Sequence, residues 1–194
     1  MIVVTKKKLP VFLKQIDYRC KFKNILDMVY NSKRGAMTIE QYGNKLINED
    51  LGPLVESNSY LAFFVLSAAI EFITRCRLRN LHYDKKTAEK YVSTIGSLEA
   101  FKPYRIFNYN KGKKVYNYLY TAMRCGLLHM GLPNKGIILS SNENEFNKKV
   151  IGCKSLYADI KKAWEEIKRD SQVMSFMKNT KAIVISETLQ NNIP

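Results

Sequence analysis

An arginine and a histidine are the residues whose types and spacing best suit chemistry in this chain. Arg124 and His129 are separated by four residues, Cys125-Gly126-Leu127-Leu128, at the end of an apolar stretch. The other histidine, His82, follows Arg77 at the same spacing. Because a motif this short also occurs by chance, the structural context has to decide between the two matches.

Several kinds of catalytic site are excluded by the composition. Two histidines and four widely separated cysteines supply too few ligands for a zinc site, and the cysteines contain no C-x-x-C pair. The phosphate-binding order G-x-x-x-x-G-K-[ST] and the hydrolase motif G-x-S-x-G are both missing from the sequence. The remaining chemistry is the kind that Arg, His, Lys and Tyr perform without a metal, so we expect no cofactor.

The charge of the chain favours an anionic partner. Lys and Arg total 32 against 17 Asp and Glu, a formal net charge of +15, which is typical of proteins that bind nucleic acid or a membrane surface. The basic residues are dispersed, however, and a generally lysine-rich surface explains the charge equally well. The apolar run 61–70 is too short to span a bilayer, which takes about 20 residues. The N-terminal residues lack the pattern of a signal peptide, so we expect a cytoplasmic protein.

The elements that must position Arg124 and His129 are predicted to be helices. Gly and Pro are sparse (9 and 5), and the breaks they make separate stretches of helical spacing. The predicted helices are 10–31, 38–52, 57–79, 84–95, 114–130 and 155–177. The stretch 96–113 is predicted to be a long connection, and the short apolar runs 136–140 and 182–186 are predicted to pair as strands.

These elements indicate an all-α fold in one domain. The chain is predicted to form a helical bundle of about six helices, with at most a small two-stranded β element. Residues 1–55 are an N-terminal helical extension and residues 56–180 the bundle core. Helix 57–79 is apolar nearly all round, which predicts a central buried helix, and Thr38 and Gln41 have the spacing of a capping box.

The motif helix 114–130 resembles one known family. Residues 118–131, with Arg124 and His129, resemble the motif helix of the HEPN superfamily (higher eukaryotes and prokaryotes nucleotide-binding domains), whose mark is an Arg and a His four to six residues apart. The upstream helix through residues 68–72 is similar to the helix that precedes the motif helix in these domains. Many active members carry Asn or Asp directly after the arginine, where this chain has Cys125.

The resemblance implies a homodimeric, metal-independent endoribonuclease. Its motif helices would face each other across a two-fold axis. On a straight α-helix, residues five apart lie about 140° apart around the axis, so Arg124 and His129 of one chain would not converge on one atom. A two-fold axis can instead bring Arg124 of one subunit to His129 of the other.

The implied substrate is single-stranded RNA. His129 would exchange protons as general base or acid, Arg124 would hold the scissile phosphate, and the RNA 2′-hydroxyl would attack it. Glu71, Cys125 and Gly126 are supporting residues, with Glu71 a candidate partner for Arg124. The predicted RNA-binding residues are Tyr118, Tyr120 and Lys114. A toxin or phage-defence role, with an antitoxin protein as a possible partner, follows from the resemblance alone.

Other interpretations fit the same residues. His129 can satisfy the last carbonyls of a helix, Arg124 can form a structural salt bridge, and the tyrosines can be core and interface residues. A non-catalytic HEPN-like module that binds RNA, nucleotide or a partner protein is a second hypothesis. A helical DNA-binding regulator is a third, although the sequence shows no helix-turn-helix spacing.

Overall fold

The structure is a computed structural model that describes residues 36–57, 60–81, 87–127, 137–141 and 143–183. Residues 37–181 form one compact unit. The predicted helix 10–31 and most of the predicted strand 182–186 lie outside the described residues.

The first helical stretch begins where the capping box predicts. Helix α1 (Ile39–Asn44) follows Thr38, whose Oγ1 accepts a hydrogen bond from the Gln41 backbone at 3.1 Å, while Gln41 Oε1 accepts one from the Thr38 backbone at 2.8 Å. A π-helix (Lys45–Asp50) and helix α2 (Leu51–Glu56) continue it without a break. The predicted end at residue 52 is therefore wrong, because the helical stretch runs through Gly52 and Pro53 to Glu56.

Helix α3 (Tyr60–Arg77) is the central buried helix that the sequence predicts. Leu66, Ala69, Ile70 and Ile73 have no exposed surface. The helix packs against the helices on several sides of it, including the one that carries Arg124. Its basic last turn suits the negative end of the helix dipole.

The stretch predicted as a long connection contains regular structure. Helix α4 (Thr87–Ser97) is followed by a 3₁₀ helix (Glu99–Phe107) and an antiparallel hairpin of β2 (Asn108–Lys111) and β3 (Lys114–Asn117). Lys111 pairs with Lys114, so Gly112 and Lys113 form a two-residue turn. Gly112 has a φ of 62°, which suits a type II′ turn with glycine first.

The hairpin corrects the predicted start of the motif helix. Residues 114–117 form a strand, and the helix that carries Arg124, which we call the motif helix, is a π-helix over Leu119–Leu127. Helical spacing is misleading here because Gly112 allows a tight turn and the β-branched and aromatic residues Val115 and Tyr116 favour a strand. Tyr116 also pairs across the hairpin with Tyr109.

The short apolar runs pair differently from the prediction. Strand β4 (Ile138–Ser140) lies parallel to β5 (Val150–Gly152), and β6 (Lys181–Ile183) pairs with β1 (Ala36–Thr38). The predicted pairing of 136–140 with 182–186 is wrong, because an apolar run does not identify its own partner. The fold is mainly helical, with more β structure than one two-stranded element.

Two helices replace the predicted helix 155–177. Helix α5 (Cys153–Lys168) ends before Asp170, whose carboxylate accepts hydrogen bonds from the backbones of Gln172 (2.9 Å) and Val173 (3.1 Å) and so caps a new helix, α6 (Ser171–Asn179). The buried face of α5 forms the other half of the core against α3. Its fully buried residues are Leu156, Ile160, Ala163 and Trp164.

Candidate functional site

The motif helix is anchored by its buried face. Leu119, Ala122 and Met123 have no exposed surface, and the helix packs against α3. Arg124 lies in this helix, but its side chain and the whole of His129 lie outside the part of the chain that the structure describes. The predicted catalytic pair therefore stays a prediction.

A buried asparagine positions the start of the motif helix. Asn117 has no exposed surface. Its Oδ1 accepts a hydrogen bond from the Leu119 backbone at 2.8 Å, and its Nδ2 donates to the Tyr104 carbonyl (2.9 Å) and to Asn108 Oδ1 (2.7 Å). One side chain thus ties the 3₁₀ helix, the hairpin and the motif helix together. Sequence analysis missed this residue because an asparagine at a predicted helical position gives no sign of burial.

The π-helical winding bears on the argument for a composite site. An α-helix puts residues five apart about 140° apart, whereas the hydrogen bonds of a π-helix join residues five apart and so bring them close together. Residues 119–127 have π-helical winding. His129 lies outside these residues, so the angle between Arg124 and His129 and the two-subunit site stay predictions.

Three tyrosines lie in a stack beside the start of the motif helix. The rings of Tyr109 and Tyr118 have centroids 4.4 Å apart and planes 21° apart, and Tyr116 stacks on Tyr109 at 5.8 Å and 25°. All three side chains are partly exposed. The Tyr109 hydroxyl lies 3.3 Å from Thr121 Oγ1, within hydrogen-bond distance, which connects the stack to the motif helix. We call these three residues the tyrosine ladder.

The predicted RNA-binding residue Tyr120 lies in the core instead, as does Tyr104 of the 3₁₀ helix. Tyr120 is 8% exposed, and its ring meets that of Tyr91 edge-on at 5.2 Å. Tyr104 is fully buried. The structure therefore places Tyr120 inside the core, whereas Tyr118 is partly exposed at the surface.

The supporting residues occupy different parts of the site. Glu71 Oε1 accepts hydrogen bonds from Arg75 Nη2 (2.7 Å) and Nε (3.1 Å), so this carboxylate has a cationic partner on its own helix. Its predicted pairing with Arg124 stays a prediction. Cys125 carries a free, partly exposed thiol, and Gly126 lies in the motif helix.

Basic residues surround the tyrosine ladder. Lys149 Nζ lies 5.8 Å from the centroid of the Tyr118 ring, a cation–π distance. Lys114 donates to Glu89 Oε1 at 2.8 Å, and this hydrogen bond raises the pKa of the lysine. Lys111 and Lys113 are exposed at the tip of the hairpin.

Comparisons with protein-family models, with curated proteins and with solved structures find no match for the chain. Within the described residues, no group of three or more His, Cys, Asp or Glu is placed to hold a metal ion. In that same part of the chain, no helix combines the length and the apolar character that crossing a membrane requires.

Proposed function

We propose that the chain is a HEPN-like, metal-independent endoribonuclease that cuts single-stranded RNA as a homodimer. The observation that carries the proposal is the position of Arg124 in a helix anchored on α3 and preceded directly by a partly exposed tyrosine stack. Phosphate-binding and base-stacking side chains thus belong to one continuous segment. The net charge of +15 supports an anionic substrate.

The proposed mechanism uses two side chains. His129 accepts the proton of the RNA 2′-hydroxyl or donates one to the leaving 5′-oxygen, since an imidazole with a pKa near 6.5 exchanges protons at neutral pH. Arg124 binds the scissile phosphate and offsets the charge that develops on it. The 2′-oxygen attacks phosphorus, the 5′-oxygen leaves, and the products are a 2′,3′-cyclic phosphate and a 5′-hydroxyl.

A cleavage assay in EDTA tests the proposal. End-labelled single-stranded RNA is incubated with the parent protein and with Arg124→Ala and His129→Ala variants. We expect cleavage by the parent that leaves cyclic-phosphate ends, and a loss of at least about a hundredfold in each variant, as general acid–base contributions imply.

The second Arg-x4-His match supplies matched controls. Arg77→Ala and His82→Ala change the same residue types at the same spacing outside the motif helix, and we expect both variants to cleave like the parent. Equal losses in all four variants, or cleavage that EDTA abolishes, would contradict the proposal.

A non-catalytic HEPN-like module is the second candidate function. Cys125, which stands where many active members have Asn or Asp, favours it. In this case a folded parent protein binds single-stranded RNA in EDTA without cutting it. The toxin or phage-defence setting and an antitoxin partner are part of the proposal only through the family resemblance.

A further inference from the structure

The rings of the tyrosine ladder are closer to parallel than the aromatic pairs in the core. The core pairs have planes from 31° apart, for Phe72 with Trp164, to 87° apart, for Tyr104 with Phe146. The ladder rings lie within 25° of parallel. A near-parallel stack is extended most readily by another flat ring placed against its end.

The electrostatic surroundings of the ladder suit a polyanion. Lys149 lies over Tyr118, and Lys111 and Lys113 are exposed two to five residues from Tyr109 or Tyr116 in the hairpin. The nearby acids Glu89 and Glu145 are paired with Lys114 (2.8 Å) and Lys148 (2.7 Å). The charge around the rings is therefore predominantly positive.

We propose that the tyrosine ladder is a base-stacking platform for single-stranded RNA. One or two unpaired bases continue the stack of Tyr109, Tyr116 and Tyr118. The flexible Lys149 side chain moves from the face of the Tyr118 ring to the phosphates, where the hairpin lysines also lie. Every base has a flat face, so such a platform binds strands with little sequence preference. The platform rests on the proposed function in one respect: the bound strand is taken to be the RNA whose scissile phosphate Arg124 binds.

The ladder lies a short distance along the strand from the cleavage position. Tyr118 precedes Arg124 by six residues, at most about 9 Å of helix at the α-helical rise of about 1.5 Å per residue. A stacked strand advances about 3.4 Å per nucleotide. The ladder therefore lies within a few nucleotides of the residue that is proposed to bind the scissile phosphate.

RNA binding measured without cleavage tests the platform. Fluorescence anisotropy is recorded in EDTA with a labelled single-stranded RNA and with proteins that carry His129→Ala. We expect Tyr118→Leu to weaken binding by about tenfold, the effect of losing one stacked base. Tyr118→Phe and Tyr118→Trp keep a flat ring, and we expect them to retain most of the affinity.

Tyr157→Leu is the matched control. Tyr157 is also partly exposed and has a lysine over its ring, with Lys161 Nζ at 4.6 Å, but it lies on α5 outside the ladder. We expect this variant to bind RNA like the parent. Circular dichroism establishes whether each variant is folded. If Tyr118→Leu does not fold, the affinities of Tyr118→Phe and Tyr118→Trp for RNA still test the platform.

The nucleic acid itself supplies an independent measurement. A 2-aminopurine in the strand should lose fluorescence on binding, because stacking quenches it, and the quenching should be weaker with Tyr118→Leu. An abasic strand, which keeps the phosphates, should bind about as weakly to the parent as the normal strand binds to Tyr118→Leu. Equal affinity for duplex and single-stranded RNA, or for abasic and normal strands, would overturn the platform.

Failure of the platform and failure of the nuclease give different results. Cleavage by the parent together with unchanged RNA affinity in Tyr118→Leu overturns the platform and leaves the nuclease standing. Ring-dependent RNA binding without cleavage by the parent supports the platform and overturns the nuclease. If the parent binds no RNA, the ladder is a surface for a different kind of partner, such as a protein, and this proposal is wrong.

Discussion

The hydroxyl of Tyr104 holds together three separate segments of the chain. It donates to Asp159 Oδ2 on α5 at 2.9 Å and accepts from Asn144 Nδ2 at 2.9 Å, and Asn144 Oδ1 in turn accepts from the Gly152 backbone at 2.8 Å. Burial, followed by the charge of Asp159, raises the pKa of Tyr104 above its ordinary value. This hydroxyl is therefore a structural group that stays protonated.

Tyr104→Phe is expected to destabilise the fold at neutral pH. The variant keeps the ring but leaves Asp159 and Asn144 without this partner, which costs about 1–3 kcal/mol of unfolding free energy. Urea unfolding at pH 7 measures the loss. An unchanged unfolding free energy would show that water replaces the hydroxyl without cost.

The difference in stability between parent and Tyr104→Phe is expected to shrink at alkaline pH. Above pH of about 10 a tyrosine in the unfolded chain loses its proton, whereas folded Tyr104, with its raised pKa, keeps it. The unfolded state then binds fewer protons than the folded state, so the stability of the parent falls as pH rises. The variant lacks the pH dependence that is due to Tyr104. Urea unfolding at pH 9 and pH 11 should therefore show a smaller difference in unfolding free energy between parent and variant at pH 11. A constant difference would contradict it.

At the level of residues, the sequence predicts which residue types lie near Arg124 better than it predicts whether each side chain is buried or exposed. The sequence indicates the tyrosines near Arg124. Tyr118 and Tyr120 have similar neighbours in the sequence, but Tyr118 is partly exposed and Tyr120 is buried. The difference depends on Tyr91, which belongs to another helix. The burial of Asn117 was also not predictable from the sequence, because its three hydrogen-bond partners belong to the 3₁₀ helix, the other hairpin strand and the motif helix.

At the level of elements, Gly43 of α1 leaves room for the ring of Trp164 on α5. A Cβ built on Gly43 would lie 2.4 Å and 2.5 Å from two ring carbons of Trp164. The indole cannot easily move away, because its Nε1 donates to Asn44 Oδ1 at 2.8 Å. The Trp164 ring of α5 therefore packs directly against the backbone of Gly43.

Gly43→Ala is expected to destabilise the protein by about 1–3 kcal/mol, the usual cost of overpacking. The control is Gly96→Ala in α4, where an added Cβ meets nothing within 4 Å. We expect this control to stabilise the protein by about 0.5–1 kcal/mol through helix propensity. Thermal unfolding should show a loss of stability in Gly43→Ala and a gain in Gly96→Ala. A gain of stability in Gly43→Ala would contradict the close contact between Gly43 and the Trp164 ring.

The sequence predicts helices correctly where a long apolar pattern is uninterrupted, as in α3. It predicts helix boundaries wrongly where local hydrogen bonds or turns determine them. Asp170 caps a new helix inside a stretch that has continuous helical spacing. The turn at Gly112 converts the predicted start of the motif helix into a strand. Strand partners could not be predicted, because three-residue strands carry too little pattern to specify a register.

At the level of the whole molecule, a mixing experiment tests the proposed two-subunit site. Arg124→Ala protein and His129→Ala protein are inactive separately but, in a mixed dimer, supply one intact arginine and one intact histidine. We expect mixing to restore part of the RNA cleavage, because the proposed site joins Arg124 of one subunit to His129 of its partner.

Light scattering, which measures the oligomeric state, is the companion measurement. A mixture that forms dimers but recovers no activity would place both residues of the site within one chain. A monomer at micromolar concentration would also contradict the composite site.

The hydrogen bond between Trp164 and Asn44 joins residues 120 positions apart in the sequence. A ribosome adds about 5–20 residues per second, so about 6–24 s pass between the synthesis of these two residues. During that time the apolar faces of α1 and α3 are on the nascent chain without the α5 surface that covers them. The core of residues 37–181 is therefore complete only after α5 has been synthesised, and the apolar faces of α1 and α3 stay without this partner until then.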